Sequence, residues 1–395
     1  MAFFGNDAVN RVNIHYGVHA LAAGAGGVFF LAYLLHAGVP VAVTLAAQAA
    51  ISIGRLIVRP VVLPIGKRWG LKPLVIAGAL LIACEYPLLA EVHGVDIWLC
   101  AFIVVGAVAD TFYWSSYHAY FAAIGDSEHR GHQIGAREAL AAVVGIVAPL
   151  IGGWALQTLS ARWAFGAVAV IQALSALPLF AAPNVPVAPS APGSWRAARL
   201  GLAIFLPNGW MAACFFFVWQ VVLFVSLGRS LAAYGGAMAL AALVGAVVGL
   251  VFGRQIDRGG GRRTAVIAYL VAAGVVVLRA ASLGSPWLAV AANATGSLAY
   301  ALTEPAMMTA VYNLAKASPC PLRFHVATEG AWDVGCSSAC LVAAGLAALQ
   351  LPLSIAILMA LPATAAIARI LWRYYGPTGQ VTEPPPLITT MPEAP

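Results

Sequence analysis

The strongest constraint on the fold of this sequence is its series of apolar runs, most of them about twenty residues or longer. An α-helix rises about 1.5 Å per residue, so a run of that length crosses the roughly 30 Å of hydrocarbon in a bilayer. Only 9% of the 395 residues are charged and 62% are hydrophobic, whereas about a quarter of a soluble globular chain is charged. The sequence therefore excludes a water-soluble fold and predicts an all-α membrane protein.

Breaks rich in glycine, proline or charge divide the chain into two sets of six predicted transmembrane helices. The first apolar run begins near Ile14 and is too long for the apolar core of a cleaved signal peptide, so it is interpreted as a span. The predicted spans are 14–38, 41–65, 71–91, 96–123, 135–158 and 161–182 in the first set, and 199–227, 231–253, 264–283, 286–315, 327–349 and 352–373 in the second.

Residues 183–198, between the two sets, read PNVPVAPSAPGSWRAA. Four prolines and several small residues predict an extended linker rather than a span. We therefore expect two pseudo-symmetric six-helix bundles, residues 1–182 and 199–375, joined by this linker on the cytoplasmic side. Residues 376–395 are rich in proline and predict a disordered cytoplasmic tail.

The positions of lysine and arginine predict the orientation. If the N-terminus is cytoplasmic, only Arg162 and Arg229 fall in the connections on the far side. The cytoplasmic connections and the tail then carry Lys67, Arg68, Lys72, Arg130, Arg196, Arg199, Arg254, Arg258, Arg262, Arg263, Lys316, Arg323 and Arg373. Cytoplasmic loops are enriched in such residues, so we expect a multi-pass protein of the inner (plasma) membrane with both termini in the cytoplasm.

Charged residues inside the predicted spans are the first candidates for function, because each costs about 2.5–3.5 kcal/mol at mid-bilayer unless it faces a cavity or a partner. Asp110 shares a helical face with Tyr113, Trp114 and Tyr117. An acid among aromatic rings predicts a binding surface for a cation or an aromatic ring. The alternative is an interfacial aromatic belt with an acid that only packs helices.

Glu304 occupies the equivalent place in the second half, and Met308 and Tyr312 continue its helical face. Pro305 directly follows it and weakens the local helix. We expect Asp110 and Glu304 to bind the substrate and to couple transport to protons. The alternative is that each is held in a salt bridge by Arg55, Arg59 or Arg279.

Arg55 and Arg59 lie one turn apart and are predicted to bind an anionic group of a substrate. They could instead pair with Asp110 or Glu138 to tie the first bundle together. Trp332 is expected to border the same cavity. Four residues near the predicted cytoplasmic ends of their spans are interpreted as ion pairs of an inner gate: Arg137, Glu138, Glu329 and Asp333.

A short pattern recurs at equivalent places in the two halves. An intramembrane acid is followed by an Arg-x-His step and then by a glutamate that enters the next helix. The first copy is Asp110, Arg130, His132 and Glu138, and the second is Glu304, Arg323, His325 and Glu329. Duplicated bundles that enclose a site between them are typical of transporters.

The connection after the eighth predicted span, residues 253–263, reads GRQIDRGGGRR. It resembles the loop signature of the major facilitator superfamily, in which Gly-x-x-x-Asp-Arg-x-Gly precedes a basic pair. The first-half counterpart, PIGKRWGLKP at residues 64–73, keeps Arg68 and Gly70 but has Lys67 in place of the acid. The resemblance implies that Asp257, Arg258 and Arg262 act as a gate that holds the cytoplasmic face closed.

The resemblance implies a secondary active transporter for a small polar or amphipathic organic solute, driven by protons, with two bundles rocking about a central site. We expect it to act as a monomer in the lipid bilayer without a cofactor or nucleic acid. One alternative is a soft-metal importer, for example of copper, suggested by His15 with His19 and Cys336 with Cys340. Another is a membrane-embedded enzyme, although HExxH and GxSxG motifs are absent from the sequence.

Overall fold

A computed structural model describes residues 7–124, 130–258 and 261–376, with side chains except those of residues 122, 130–142 and 248–258. These residues form twelve long helices. They are α1 (Asp7–His36), α2 (Val41–Trp69), α3 (Leu71–Ala90), α4 (Ile97–Ile124), α5 (Arg130–Thr158), α6 (Ala161–Phe180), α7 (Arg199–Ser226), α8 (Leu231–Arg258), α9 (Gly261–Ala281), α10 (Pro286–Ala317), α11 (Pro321–Ala348) and α12 (Leu353–Tyr374).

The lengths and compositions of these helices confirm the predicted all-α membrane fold. Among the described residues, nine helices are long and apolar enough to cross a membrane. Within α5 and α8 the apolar stretches are shorter, Val143–Thr158 and Leu231–Val247, and α10 has 32 residues. The chain is therefore a multi-pass membrane protein, and twelve spans are consistent with every described helix.

The helix contacts repeat between the two halves of the chain. In the first half α1 packs on α5 and α6, α2 on α4, and α3 on α4 and α6. In the second half α7 packs on α11 and α12, α8 on α10, and α9 on α10 and α12. Each second-half pair is the first-half pair advanced by six helices, which is the internal symmetry expected of a duplicated transporter bundle. The exact boundaries of the two bundles remain a prediction.

Two symmetry-related interfaces join the halves, α2 with α11 and α5 with α8. At the interface between α5 and α8, glycine residues let the two backbones approach closely. A Cβ built on Gly153 of α5 would lie 2.8 Å from the carbonyl oxygen of Leu231 in α8. A Cβ built on Gly235 would overlap the carbonyl oxygen of Pro149. Tight backbone approach through small residues is the usual way in which membrane helices associate.

We expect the variant Gly235→Ala to lower the thermal stability of the purified protein. The added methyl group meets backbone rather than a flexible side chain, so relief requires α5 and α8 to separate, at a cost of about 1–3 kcal/mol. Gly236→Ala is the matched control, because a Cβ on Gly236 meets no atom of the described residues within 4 Å. Equal melting temperatures for the two variants would contradict this account of the interface.

The connection between α6 and α7 packs against the first bundle and forms hydrogen bonds with it. Asn184 Nδ2 donates to the carbonyl oxygen of Trp69 at 2.7 Å, and the Leu71 amide donates to the carbonyl oxygen of Val185 at 2.9 Å. Between α2 and α3, Gly70 has φ +83°, and a Cβ there would overlap the Asn184 side chain. Glycine is therefore required at this turn.

Twelve passes bring the start of α1 and the end of α12 to one face, which we call the inner face; the sequence predicts that it is cytoplasmic. On the opposite, outer face, Asp96 Oδ1 accepts from the Leu99 amide at 2.9 Å and caps the start of α4. Nearby, Arg162 forms a two-point ion pair with Glu91 and lowers the pKa of that carboxyl group.

Candidate substrate and proton-coupling site

The site is a group of five charged side chains where α2 meets α4 and α11. We call Arg55, Arg59, Asp110, Glu329 and Asp333 the ion cluster. Arg55 lies 3.4 Å from Asp110, 3.3 Å from Glu329 and 2.9 Å from Asp333, measured between the nearest nitrogen and oxygen atoms. Arg59 pairs with Asp333, and its Nη1 donates to Ser115 Oγ at 2.6 Å. The ion cluster therefore joins the two halves of the chain.

Helical spacing explains how the ion cluster forms. Arg55 and Arg59 are four residues apart on α2, and Glu329 and Asp333 are four residues apart on α11, so each pair lies on one face. Because α2 and α11 pack together, the basic pair faces the acidic pair. Asp110 approaches from the middle of α4.

The start of α11 differs from the sequence prediction. The helix begins at Pro321, six residues before the predicted residue 327, so Asp333 lies near its middle rather than close to the inner face. Hydropathy misses this first turn because it holds Arg323 and His325, which are 7% and 0% exposed. Arg323 Nη2 donates to the carbonyl oxygens of Ala188 and Pro189 in the connection between α6 and α7.

The ion cluster contains one more carboxylate than guanidinium group. Three acids share two arginines among the described side chains. A buried charge without compensation costs several kcal/mol, so the neutral form of the cluster holds one proton. Asp110 is the acid best placed to exchange it, because its side chain is 30% exposed while those of Glu329 and Asp333 are 11% and 0% exposed.

Glu85 on α3 is a further acid that the sequence analysis did not single out. Its Oε1 is buried and has no hydrogen-bond partner in the described residues. The carboxyl group packs against Gly106, one turn before Asp110 on α4: a Cβ built there would lie 3.6 Å from Glu85 Cδ. The signal that could have found it is the one that found Asp110, a charged residue inside a predicted span.

In the structure, the predicted aromatic face of α4 consists of two buried tyrosines and one partly exposed tryptophan. Tyr113 and Tyr117 are 0% and 1% exposed and pack against α1. The Tyr113 hydroxyl hydrogen-bonds His15 Nε2 at 2.9 Å. Trp114, which is partly exposed, lies beside Asp110 and against His118. Of the three rings, Trp114 is therefore the one placed to contact a substrate near Asp110.

Two histidines and a tyrosine close the space between the bundles on the inner side of the ion cluster. The rings of His118 on α4 and His325 on α11 stack with centroids 5.7 Å apart. The Tyr312 hydroxyl lies 3.4 Å from His118 Nδ1. Both ring nitrogens of His325 are buried without a hydrogen-bond partner in the described part of the chain. Of the two histidines, only His325 belongs to a sequence pattern described above, the Arg-x-His step, and that pattern predicted no role for it in the site.

Glu304 and Met308 lie on α10, one turn apart. The Glu304 carboxylate is close enough to Tyr269 of α9 for its charge to act on that phenol. Met308 is partly buried and packs against the core. The structure thus does not place Glu304 in the ion cluster with Asp110, and its coupling role stays a prediction.

Of the remaining predicted residues, two have side chains that the structure describes and four do not. Trp332 borders the ion cluster, with the Arg55 guanidinium carbon 5.2 Å from its ring centroid. Arg262, of the predicted gate, lies over the Trp372 ring at 3.4 Å. The side chains of Arg137, Glu138, Asp257 and Arg258 lie outside the described residues, so their gating roles stay predictions.

Arg279 is buried in the second bundle, and none of its contacts in the described residues is to an acid. Its guanidinium donates to the carbonyl oxygens of Phe215 and Ala292 and stacks over the rings of Phe215 and Trp219 at 4.0 and 4.7 Å. Phe215 lies in the π-helical turn Ala213–Val218 of α7. A π-turn leaves carbonyl groups without regular helical donors, and Arg279 supplies one.

We expect Arg279→Met to destabilise the second bundle by about 1–3 kcal/mol, because the Phe215 carbonyl loses its donor in a buried site. Arg279→Lys should be intermediate, since it keeps a donor but loses the flat group that stacks on the rings. The melting temperature of the purified protein is the measurement, and Arg229→Met, at an exposed outer turn, is the control. A melting temperature for Arg279→Met equal to that of the parent would refute the anchoring role.

Comparison with known proteins supports the fold described above. A family model described as Major Facilitator Superfamily matches residues 14–320. The human organic anion transporter MFSD10 (TETRAN) is similar in structure, with a TM-score of 0.66, 16% identity, and coverage of 92% of this chain and 99% of that one. No curated protein matches the sequence.

Two structures of POT family transporters are also similar. One, in complex with a thioalcohol conjugated peptide, has a TM-score of 0.65, 11% identity, and coverage of 93% of this chain and 95% of that one. The other, in complex with 5-aminolevulinic acid, has a TM-score of 0.66, 12% identity, and coverage of 94% and 96%. At these identities the likeness concerns the fold alone.

Proposed function

The chain belongs to the major facilitator superfamily, and on that premise we propose that it is a proton-coupled secondary transporter for a small polar or amphipathic organic solute. It works by alternating access, with the two bundles opening to one face at a time. We place it in the inner membrane with the inner face towards the cytoplasm, as the distribution of lysine and arginine predicts.

The observation that carries this proposal is the position and charge of the ion cluster. It lies at middle depth, where the α2–α11 interface must open if the two bundles are to separate on the inner side. It also holds one carboxylate more than it has arginines, so its charge changes by one when a proton leaves. A site that both links the bundles and binds a proton can couple the two events.

The coupling follows from the three acids that compete for Arg55. When Asp110 is protonated, Arg55 pairs fully with Glu329 and Asp333 and strengthens the contact between bundles. When Asp110 loses its proton, its charge draws Arg55 towards α4 and weakens that contact. Proton release thus favours separation of α2 from α11, and proton binding favours their closure.

The substrate is proposed to bind between Trp114, Trp332 and Arg55. A released Arg55 offers a forked donor to a carboxylate or similar group. The indole rings supply an apolar wall for the rest of the solute. The transporters of similar fold are described with an organic anion, a peptide conjugate and 5-aminolevulinic acid, and these small organic solutes support the same substrate class here.

The alternative of a soft-metal importer has no such support. Among the described residues, no group of three or more His, Cys, Asp or Glu side chains is placed to hold a metal ion. His15 instead bonds Tyr113 and the Ser175 carbonyl oxygen, and His19 bonds Gln172, so both are engaged in packing α1 against its neighbours.

The test is transport by the purified protein in liposomes. A thermal-stability screen across organic anions, amino acids, short peptides and amphipathic drugs first identifies a solute that raises the melting temperature, since ligands stabilise the native state they bind. Flux of that solute is then measured with and without a pH gradient. We expect saturable accumulation that a protonophore abolishes. Accumulation unaffected by the protonophore would exclude proton coupling, and no protein-dependent flux would exclude the proposed substrate class.

A further inference from the structure

A groove between α9 and α12 opens at the inner face of the second bundle, away from the ion cluster. It is lined by Val266 on α9 and by Ala368, Arg369, Trp372 and Arg373 on α12. Arg369 and Arg373 are four residues apart and therefore share one face of α12, with both side chains exposed. The groove thus has a basic, aromatic rim and a short apolar wall formed by Val266 and Ala368.

The charged residues on the two helices that form this groove are all of one sign. The helices α9 and α12 contain five arginines and no aspartate or glutamate. Four of the arginines lie at the inner ends of the helices, and none of the four forms an ion pair with a described residue. They are Arg262, Arg263, Arg369 and Arg373.

Arg262 adds a second observation. Its guanidinium lies 3.4 Å from the centroid of the Trp372 ring, which holds α9 against α12 at the rim of the groove. Its Nε is buried and has no hydrogen-bond partner in the described residues. The rim therefore combines Arg262, whose Nε is an unpaired donor among the described residues, with two exposed arginines on the adjacent helix, Arg369 and Arg373.

We propose that this groove binds an anionic phospholipid of the inner leaflet, with the phosphate held by Arg369 and Arg373. Guanidinium groups bind phosphate through paired hydrogen bonds, and basic pockets between transmembrane helices on the cytoplasmic side bind acidic headgroups. Trp372 lies in the last turn of α12, and tryptophan is enriched where transmembrane helices meet the headgroups. The acyl chain lies along Val266 and Ala368, which places the lipid against α9 and α12.

The test compares lipid binding by three forms of the full-length protein: the parent, Arg369→Gln/Arg373→Gln and Lys67→Gln/Arg68→Gln. The last is a matched control, because Lys67 and Arg68 are two exposed cations next to Trp69 at the inner end of α2. Bound phosphatidylglycerol and phosphatidylcholine are counted by native mass spectrometry, and melting temperatures are measured with each lipid and with inorganic phosphate.

We expect the parent to prefer phosphatidylglycerol. The apparent affinity for phosphatidylglycerol should fall by about thirtyfold in Arg369→Gln/Arg373→Gln, since each cation near the surface contributes about fivefold, and it should stay within about threefold in the control. Equal affinity in all three forms would overturn the proposal, and so would an equal loss in the control. Stabilisation by inorganic phosphate that matches phosphatidylglycerol would show a site for a soluble anion instead. If the double variant does not fold, the single variants Arg369→Gln and Arg373→Gln answer the same question.

Discussion

Replacing Asp333 by asparagine is expected to expose the interface between α2 and α11 to reagents from the inner face. Among the described residues Arg59 has a single carboxylate partner, Asp333, and its side chain is only 3% exposed. Removing one partner of a buried pair costs about 3–5 kcal/mol, because the other charge stays desolvated. An asparagine amide still accepts a hydrogen bond, so we take the lower value.

The cost falls on the closed arrangement alone, because Arg59 becomes hydrated once the bundles separate. About 3 kcal/mol therefore shifts the equilibrium towards separation by about a hundredfold. Cys336 is a native reporter of this change. It follows Asp333 by one turn of α11, is 0% exposed, and accepts a hydrogen bond from Ser52 of α2 at 3.5 Å.

The measurement is the rate at which a maleimide alkylates Cys336, followed by peptide mass spectrometry in a Cys84→Ser/Cys100→Ser background, since those two thiols are exposed. Glu91→Gln is the control. It breaks an ion pair too, but that pair joins α6 to the end of α3 within the first bundle. An unchanged alkylation rate in Asp333→Asn would mean that the ion cluster does not hold the bundles together.

The sequence predicts the helices well and their inner ends less well. Apolar runs report only the part of a helix that touches lipid, so α2 continues to Trp69 and α8 to Arg258, several residues beyond their predicted spans. The first turn of α11 was missed for the same reason. Helices that pack on one another at the membrane surface can hold arginine and histidine in their buried turns, and hydropathy cannot distinguish such turns from loops.

The sequence also identifies all five members of the ion cluster but not their arrangement. A charge inside an apolar run is visible without a structure, and this criterion found both arginines and three of the nearby acids. It cannot show that α2 lies against α11, because that contact joins residues nearly three hundred positions apart. The sequence predicted that Arg55 binds an anionic group of a substrate or pairs with an acid of the first bundle. In the structure it pairs with Asp110 in its own bundle and also with two acids across the interface.

Helical spacing alone does not predict what surrounds the aromatic face of α4. Tyr113 and Tyr117 do share a face, but α1 covers it, because His15 and Tyr16 supply matching polar and aromatic contacts. A helix in the middle of a bundle has neighbours on several sides, so periodicity cannot say which side faces a cavity. Arg279 illustrates the same limit, since its partner is a backbone carbonyl that only the π-helical turn makes available.

The variant Asp110→Asn is expected to lose accumulation of solute while it keeps exchange. For one proton moved with each neutral solute, a gradient of one pH unit supports about tenfold accumulation. The amide cannot release a proton, so the gradient no longer drives the cycle and the ratio falls to about one. Exchange of labelled for unlabelled solute requires no net proton movement and should continue.

The charge balance of the ion cluster explains why this variant should still fold. Asparagine resembles the protonated acid, and the two remaining carboxylates match the two arginines. Arg55 then stays with Glu329 and Asp333, so exchange should tend towards the arrangement in which the bundles are closed on the inner side. Glu304→Gln in the same assay shows whether the second nominated acid shares the coupling role. Uphill accumulation by Asp110→Asn at the level of the parent would assign the proton to another group, and Glu85, whose carboxyl oxygen is buried beside α4, would be the next to replace.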